Sequence, residues 1–374
     1  MTVKEICKLR ILSLSCSFLY LFNSCTGIQT PPSGSNSIIS DSTNLNQTAP
    51  TINVYLENSG SMFGYVKGVT EFEQSVYSYL SDINISDYCD SLNLNYINSK
   101  ILNWPKDVRD FIEKLEPSTF KIRGGNLGVS DLSDIIGKIQ DEQNNNDIAI
   151  FISDCVFSPG AGVDADQYLI NQQIGIKGHV AQQLKKNPNY AIIVYRLLSK
   201  FDGVYYNRLD QRQIINDNRP FYIWIMGDCK QLKRLTSEVS KEKIKGKGVT
   251  HSYTLFNPTT PCSYRISRYP IIGTFTIDKK EPLSTIMKAK PDKKNGKSRF
   301  LLAIDIDFST LLLDNEYLIN PTNYSVSNGD YSIEIASKGK INSPYTHTIL
   351  LKTDKPIISK GQIVISLYWC PLKV

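Results

Sequence analysis

The chain has 374 residues and a formal net charge of +6, from 42 Lys and Arg against 36 Asp and Glu. This length suffices for two ordinary domains, and the mild charge excess predicts no nucleic-acid partner. Eight Cys and three His are present, but no CxxC pair occurs, so the sequence has no zinc signature. The basic runs at 230–247 and 288–299 mix Lys with acidic residues and Gly, which is typical of solvated surface or linkers.

The N-terminus has the features of an export signal. Three cations within the first ten residues precede an apolar run at 11–22, which is too short to span a bilayer comfortably. The run leads into LFNSC at 21–25, which resembles a relaxed lipobox. We therefore predict a signal peptide at 1–24 and a bacterial-type lipoprotein that is lipidated on Cys25. The alternative is an ordinary secretory signal in which Cys25 is incidental.

The segment from the lipidated Cys25 to residue 50 is predicted to be a flexible tether. Residues 26–50 are rich in Ser, Thr, Asn, Pro and Gly and hold too little apolar surface to fold. No later segment approaches 18 consecutive apolar residues, so we predict no transmembrane helix. We expect an anchor in the cell envelope at the outer membrane. The lack of an acidic cluster directly after Cys25 favours a periplasm-facing position.

Residues 51–245 alternate between strand and helix patterns, which predicts a doubly wound α/β domain. Thr70 and Glu73 form a capping box at the start of one helix. The continuous apolar run at 148–152 suits a parallel strand covered on both faces. In chain order we predict a strand at 52–56, a helix from 71, a strand at 93–101, helices at 108–115 and from 131, a strand at 148–152, a helix at 176–186, strands at 190–198 and 221–226, and a helix at 228–240.

Residues 246–374 have a different texture. Short strand-like runs, such as HSYTLFN at 251–257 and THTILLK at 346–352, are separated by Gly, Pro, Asn and Lys clusters. This pattern predicts an all-β, sandwich-like domain. Asp305 and Asp307 lie two residues apart on one predicted strand and therefore share a face, which we expect to be solvated.

The segment with the most chemical information is VYLENSGSM at 54–62. A buried strand ends there and is followed at once by an acid, Glu57, and two hydroxyls, Ser59 and Ser61. It resembles the von Willebrand factor A family, in which the first strand ends in Asp-x-Ser-x-Ser and builds a metal-ion-dependent adhesion site. Taken alone, Ser59-Gly60-Ser61 also suits a simple strand-to-helix turn with capping serines.

The resemblance continues along 51–240. The family supplies a Thr from a second loop just before a helix, and Ser130 stands at that point of this sequence, where we expect a helix cap. In a shifted register Asn126 would take its place. The family also supplies an Asp at the end of a central strand, and Asp154 follows the strand at 148–152. Asp164 and Asp166 lie in the next loop, where turn and cap roles are commoner than cation binding.

The resemblance implies a cation site made of Glu57, Ser59, Ser61, Ser130 and Asp154. Such a site binds Mg²⁺ through hydroxyls and carboxylates, and it takes a carboxylate from a partner as the last ligand. The family's first Asp is Glu57 here, one methylene longer, so Mn²⁺ or Ca²⁺ fits the site as an alternative to Mg²⁺. The implied function is cation-assisted binding of a protein or glycan partner, without catalysis.

Two other functions remain open from the sequence. A metal-dependent hydrolase could use Glu57 and Asp154 to position water, but no His lies in the loops assigned to the site. A metal-free structural scaffold of an envelope complex would bind through other loops or through the β domain. Cys155 is expected to be a small buried side chain rather than a reactive thiol, and His179 is expected to be structural.

Overall fold

The computed structural model describes residues 6–9, 49–128, 131–157, 162–206, 211–256, 262–327, 330–337, 343–359 and 361–367. Cys25, Ser130 and residues 10–48 of the predicted signal peptide and tether therefore lie outside the described part. The described strands are β1 (Ile6–Leu9), β2 (Thr51–Glu57), β3 (Ser91–Ile97), β4 (Ile101–Trp104), β5 (Ile148–Ser153), β6 (Tyr190–Tyr206), β7 (Arg212–Asp228), β8 (Val249–Phe256), β9 (Tyr264–Ile266), β10 (Thr274–Ile277), β11 (Thr285–Lys290), β12 (Asp292–Lys294), β13 (Lys297–Ile306), β14 (Tyr324–Val326), β15 (Ser332–Ser337), β16 (His347–Thr353), β17 (Gln362–Ile363) and β18 (Ile365–Leu367).

Five of the seven described α-helices begin at a side chain that caps the first turn. Thr70 accepts a hydrogen bond from the Glu73 backbone N–H, and Asp107 accepts one from Asp110. Such caps satisfy backbone donors that a helix start leaves without partners. The α-helices are α1 (Glu71–Ile85), α2 (Val108–Glu113), α3 (Pro117–Arg123), α4 (Leu132–Glu142), α5 (Ala165–Lys186), α6 (Cys229–Glu238) and α7 (Asn315–Ile319), and the 3₁₀ turns are Gly60–Tyr65, Lys241–Lys243 and Pro321–Asn323.

A seven-stranded mixed sheet forms the N-terminal part, in the order β4-β3-β2-β5-β7-β6-β8. β3, β2 and β5 run parallel, while β4 at one edge and β7, β6 and β8 on the other side pair antiparallel. A doubly wound sheet was expected to carry its later strands in parallel. Instead, β6 and β7 form a long hairpin that pairs residues 190–206 with residues 212–228, and β7 lies between β5 and β6.

The strand β8 extends the mixed sheet beyond the domain boundary predicted at 245/246. Its residues pair antiparallel with β6, from Ala191 opposite Phe256 to Leu197 opposite Val249. From sequence this run was placed in the β domain, because it is one of the short strand-like runs that begin near residue 250. Its backbone pairing with β6 makes β8 part of the first sheet. Pairing with a strand so far away in the chain leaves no local signal in the sequence.

The remaining strands form antiparallel sheets. β12, β13, β16, β15 and β9 make one sheet, in which β13 is the central strand that pairs with β16, β9 and β12. β10 and β11 pair with each other, and β14 pairs with β18. β1, which lies within the predicted signal peptide, pairs with β11 and β17. The chain is therefore an α/β mixed sheet followed by antiparallel β sheets.

Apolar side chains cover both faces of the mixed sheet. One face packs against α4 and α5 through Tyr55, Phe151 and Met226. The other face packs against α1, α2 and α6, and its buried cluster continues into the antiparallel sheets through residues such as Ile304 and Leu351. No described helix combines the length and apolar character that a membrane-spanning helix needs.

The environment of Asp305 corrects one expectation. Asp305 was expected on a solvated face, but it is buried, and Arg265 and Thr348 contact its carboxylate. Asp307, two residues on, is only partly buried and accepts a hydrogen bond from the Ser309 hydroxyl. Arg265 of β9 and Thr348 of β16 stand opposite Asp305 on its two sides, so their side chains contact its carboxylate, which the two-residue spacing alone does not reveal.

Candidate functional site

The candidate site lies at the carboxyl edge of the parallel strands β2 and β5. Their register places Leu56 opposite Ile152, so Glu57 and Ser153 end the two strands side by side. In open α/β sheets this edge is where ligands bind, because several loops leave the sheet there together. After Glu57 the chain makes a 3₁₀ turn at Gly60–Tyr65, and after Ser153 it enters the loop that begins with Asp154.

Ser59, Ser61 and Asp154 form a continuous chain of oxygens. The hydroxyl oxygens of Ser59 and Ser61 lie 3.0 Å apart, and the Ser61 hydroxyl donates to Oδ1 of Asp154 over 3.1 Å. All three side chains are buried. Ser61 and Asp154, which are 93 residues apart in sequence, are therefore in contact.

Asp154 is held in an environment that disfavours its charge. It is 5% exposed, and its Oδ1 also accepts the Val156 backbone N–H over 3.1 Å. Burial is the largest cause that raises its pKa to about 7, and the charge of Glu57 adds to the effect, while the bonds from Val156 and Ser61 and the charge of Arg219 act in the opposite direction. Among the described residues no Lys or Arg forms a salt bridge with Asp154.

Glu57 is fully buried beside a residue that the sequence analysis did not single out. The Ser153 hydroxyl donates to Oε2 of Glu57 and accepts the Cys155 backbone N–H over 2.7 Å. Cys155 adopts a positive φ of 53°, which turns the chain sharply after β5. Burial raises the pKa of the Cys155 thiol to about 12, so the reactive thiolate form is disfavoured.

Two asparagines position the second loop against the site. Nδ2 of Asn98 donates to Oδ1 of Asn58 over 2.9 Å and to the Gly124 carbonyl over 2.8 Å. Gly125 has a φ of +83°, and a Cβ there would overlap Asn98. The Gly60 N–H then donates to the Leu127 carbonyl over 2.8 Å, which brings the 124–128 loop onto the serine turn.

Ser130, which follows this loop, lies outside the described residues. The cap of α4 is Asp131, whose carboxylate accepts the Asp134 N–H over 2.9 Å, so the cap role predicted for Ser130 belongs to its neighbour. Asn126, the alternative in a shifted register, accepts the Gly128 N–H over 3.0 Å with its side-chain oxygen. The Asn126 side chain therefore stabilises the loop in which it lies.

Other predicted residues have structural contacts. Asp164 caps α5 by accepting the Gln167 N–H over 2.7 Å, and Asp166 lies in the first turn of that helix. The His179 ring packs so closely against Gly137 of α4 that a Cβ on Gly137 would overlap the ring. The helix predicted at 176–186 begins earlier, at Ala165, because Asp164 caps it there.

A cleft of about 580 Å³ opens beside Asp154. Five half-buried aromatic side chains and Arg219 line it, and the Arg219 guanidinium stacks on Tyr205 at 3.8 Å from the ring centroid. Within the described part of the chain, Nε of Arg219 and Nε1 of Trp224 are buried without a hydrogen-bond partner. Arg219 was not predicted from the sequence, because the strand signal there begins only at Phe221. The aromatic residues are Phe157, Tyr168, Tyr205, Tyr222 and Trp224.

The donor set fits a hard cation and fits zinc poorly. The described site offers hydroxyl and carboxylate oxygens, which Mg²⁺, Mn²⁺ and Ca²⁺ prefer. Nowhere in the described residues do three His, Cys, Asp or Glu cluster closely enough to hold a metal by themselves, so an ion here would depend on serine hydroxyls. A divalent cation would also offset the charge that burial disfavours on Asp154.

No protein-family model, curated protein or solved structure matches this chain.

Proposed function

We propose that this chain is a lipid-anchored protein of the cell envelope that binds a protein or glycan partner with the help of a divalent cation. The observation that carries the proposal is the hydrogen-bonded series Ser59, Ser61 and Asp154 at the edge of two parallel strands, beside the buried carboxyl of Glu57. The same series supports a variant of the adhesion site of the von Willebrand factor A family, in a domain of that type followed by a β-sandwich-like domain.

Each side chain has a defined role in this proposal. Ser59 and Ser61 supply neutral oxygens, and Asp154 supplies charge, directly or through water. Glu57, which accepts a hydrogen bond from the Ser153 hydroxyl, contributes its negative charge without binding the ion directly. Because the direct ligands are largely neutral, the ion stays electrophilic and attracts a carboxylate from the partner.

The neighbouring cleft supports a partner with an apolar group next to its carboxylate. The cleft presents aromatic faces and one cationic side chain, Arg219, close to Asp154. Aromatic faces bind apolar side chains and the apolar faces of sugars, while a guanidinium pairs with carboxylates. A carboxylate on the cation would therefore leave the rest of the partner against the aromatic lining.

Calorimetric titration tests the cation site. MgCl₂, MnCl₂ and CaCl₂ are titrated into the purified protein with potassium acetate present, so that a free carboxylate can act as the last ligand. We expect one site per chain in the wild type and loss of binding in Ser59→Ala/Ser61→Ala. Ser309→Ala is the matched control, because its hydroxyl also donates to an aspartate, Asp307, but in the β region.

The outcome separates the proposed function from a metal-free scaffold. Binding that persists in the double variant, or no binding of any of the three ions by a folded wild-type chain, would contradict the cation site. The serine turn would then be a structural turn, and partner binding would depend on other loops. The lipid anchor is tested separately: labelled palmitate should be incorporated into the wild type and not into Cys25→Ala.

A further inference from the structure

The excess positive charge of the chain is concentrated in one segment. Residues 268–299 contain nine Lys and Arg and three Asp and Glu, a net charge of +6 that equals the charge of the whole chain. The other 342 residues carry 33 cationic and 33 acidic side chains and are balanced. The cations are Arg268, Lys279, Lys280, Lys288, Lys290, Lys293, Lys294, Lys297 and Arg299.

The fold exposes this charge and does not neutralise it. All nine side chains are exposed, and within the described residues none of them forms a salt bridge. The segment makes two hairpins, β10–β11 and β12–β13. In the second hairpin Lys294 lies directly opposite Lys297, and like charges in this position destabilise a strand pair. An anion between them would remove that cost.

Apolar side chains lie beside the cations. Ile272 lines a depression of about 420 Å³, whose other lining residues include three cations and one acid: Lys294, Lys297, Arg299 and Asp292. It is held there by an isolated bridge to Leu301 of β13. The residues that lead to it, Tyr269 and Ile271, are 82% and 41% exposed. The surface therefore combines an anion-attracting rim with an apolar and aromatic strip.

We propose that this surface, formed by residues 268–299, docks the folded protein onto an anionic phospholipid membrane. Basic side chains attract the headgroups of acidic lipids, and aromatic and aliphatic side chains enter the interface between headgroups and acyl chains. A soluble polyanion would use the cations but would have no use for exposed Tyr269 and Ile271. The sequence pattern at 288–299 alone indicated only solvated surface, since it does not reveal that Ile272 lies among these cations.

This membrane contact goes beyond the proposed function and does not depend on the cation site. An anchor near residue 25 would hold the body close to the bilayer but would leave its orientation free, because the tether is flexible. The basic surface would fix which side of the body faces the lipid. The basic surface would have this effect however the N-terminal segment is attached to the membrane.

Lysine footprinting of the full-length chain in vesicles tests the proposal. The protein is reconstituted into phosphatidylcholine vesicles or into vesicles that also contain phosphatidylglycerol, and it is acetylated with N-hydroxysuccinimidyl acetate. We expect severalfold slower labelling of Lys288, Lys290, Lys293, Lys294 and Lys297 in the anionic vesicles only. Lys185 and Lys186, which are exposed on α5, should label equally in both. Protection should disappear at about 1 M NaCl, where the Debye length falls to about 3 Å.

Two variants identify the contact. Lys293→Glu/Lys294→Glu/Lys297→Glu should remove the protection of Lys288 and Lys290, whereas Lys177→Glu/Lys185→Glu/Lys186→Glu on α5 should leave it intact. Tyr269→Ser/Ile271→Ser should weaken protection by vesicles. Equal labelling in the two kinds of vesicle would overturn the proposal. A second combination of results would also overturn the proposal: inorganic polyphosphate without vesicles protects the lysines equally well, and Tyr269→Ser/Ile271→Ser has no effect. These two results together would assign the surface to a soluble polyanion.

Discussion

Two buried aspartates, one in each region of the molecule, are stabilised in different ways. In the antiparallel region the Asp305 carboxylate contacts Nε of Arg265 at 3.1 Å and the Thr348 hydroxyl at 3.0 Å. In the mixed sheet the Asp154 carboxylate accepts from the Ser61 hydroxyl and the Val156 N–H. Asp305 thus has a cation from its own chain in contact, whereas the described hydrogen bonds to the Asp154 carboxylate come from neutral donors. A position with that surrounding suits a cation from solution.

The strand register explains the difference. Asp305 lies inside β13, where Arg265 of β9 is its direct neighbour on one side and Thr348 of β16 is its neighbour on the other. Both partners therefore come from strand pairing. Asp154 comes one residue after β5 ends, so no cross-strand residue stands opposite to it. Its hydrogen-bond donors, Ser61 and Val156, come from the segments that follow β2 and β5, as is usual at the carboxyl edge of an α/β sheet.

The largest expected effect concerns pH and Asp154. Its pKa is raised from 3.8 to about 7 in the fold, so its contribution to stability is complete below about pH 4 and is lost as the pH rises through 7. The loss should amount to a few kcal/mol. Urea unfolding of the cation-free protein from pH 4 to pH 8 should show this decline in the wild type and a flatter profile in Asp154→Asn.

Adding MgCl₂ at pH 8 provides the control for this pH effect. The cation should restore stability to the wild type and much less to Asp154→Asn, because only the wild type keeps the Asp154 carboxylate at the site. Parallel pH profiles for the two proteins would contradict the assignment of the raised pKa to Asp154.

A smaller effect is expected for the ion pair in the antiparallel region. Arg265→Ala leaves the Asp305 carboxylate buried without its cation, which should lower the free energy of unfolding by about 3 kcal/mol. The Arg265 side chain is half exposed, which keeps the expected loss at the low end for a buried pair. Arg265→Lys keeps the charge and should recover part of the loss. A loss below about 1 kcal/mol would place this pair with ordinary surface pairs.

The smallest effect is expected for the neutral donor to Asp305. Thr348→Val keeps the shape of the side chain but removes the hydroxyl that donates to the carboxylate over 3.0 Å. The expected loss is about 1–2 kcal/mol in urea unfolding, since the acceptor is charged and buried. Thr276→Val, at an exposed strand position, serves as the control and should lower the free energy of unfolding by only a small fraction of the loss expected for Thr348→Val. Equal effects of the two variants would argue against a special role for Thr348.

Several elements could be predicted from sequence because their signals are local. The capping box at Thr70 and Glu73 predicts α1, and the apolar run at 148–152 predicts β5; both are confirmed. The short helix α3 was missed, because only Phe120 among its residues is buried. The strand predicted at 93–101 is divided into β3 and β4, because the chain turns at 98–100, where Oδ1 of Asn98 accepts the Lys100 N–H over 3.3 Å.

The candidate site shows the same division between local and distant signals. Glu57, Ser59, Ser61 and Asp154 could be named from motif and order, since all of them follow strands that end at one sheet edge. Ser153 could have been noticed by position, because it ends the strand directly before Asp154. Arg219 could not, because its nearness to Asp154 depends on the antiparallel insertion of β7 beside β5.

The sequence alone determined where most helices begin, which strands are buried and which polar residues end the strands of the site. These properties depend on side chains within a few residues of one another. Only the tertiary structure decided that β7 separates β5 from β6 and that β8 joins the first sheet. It also decided that Asp305 has Arg265 as an ion-pair partner, while no salt bridge to Asp154 occurs within the described residues. Strand pairing links residues far apart in the chain, and the order of the strands therefore decides which buried charge is balanced within the protein.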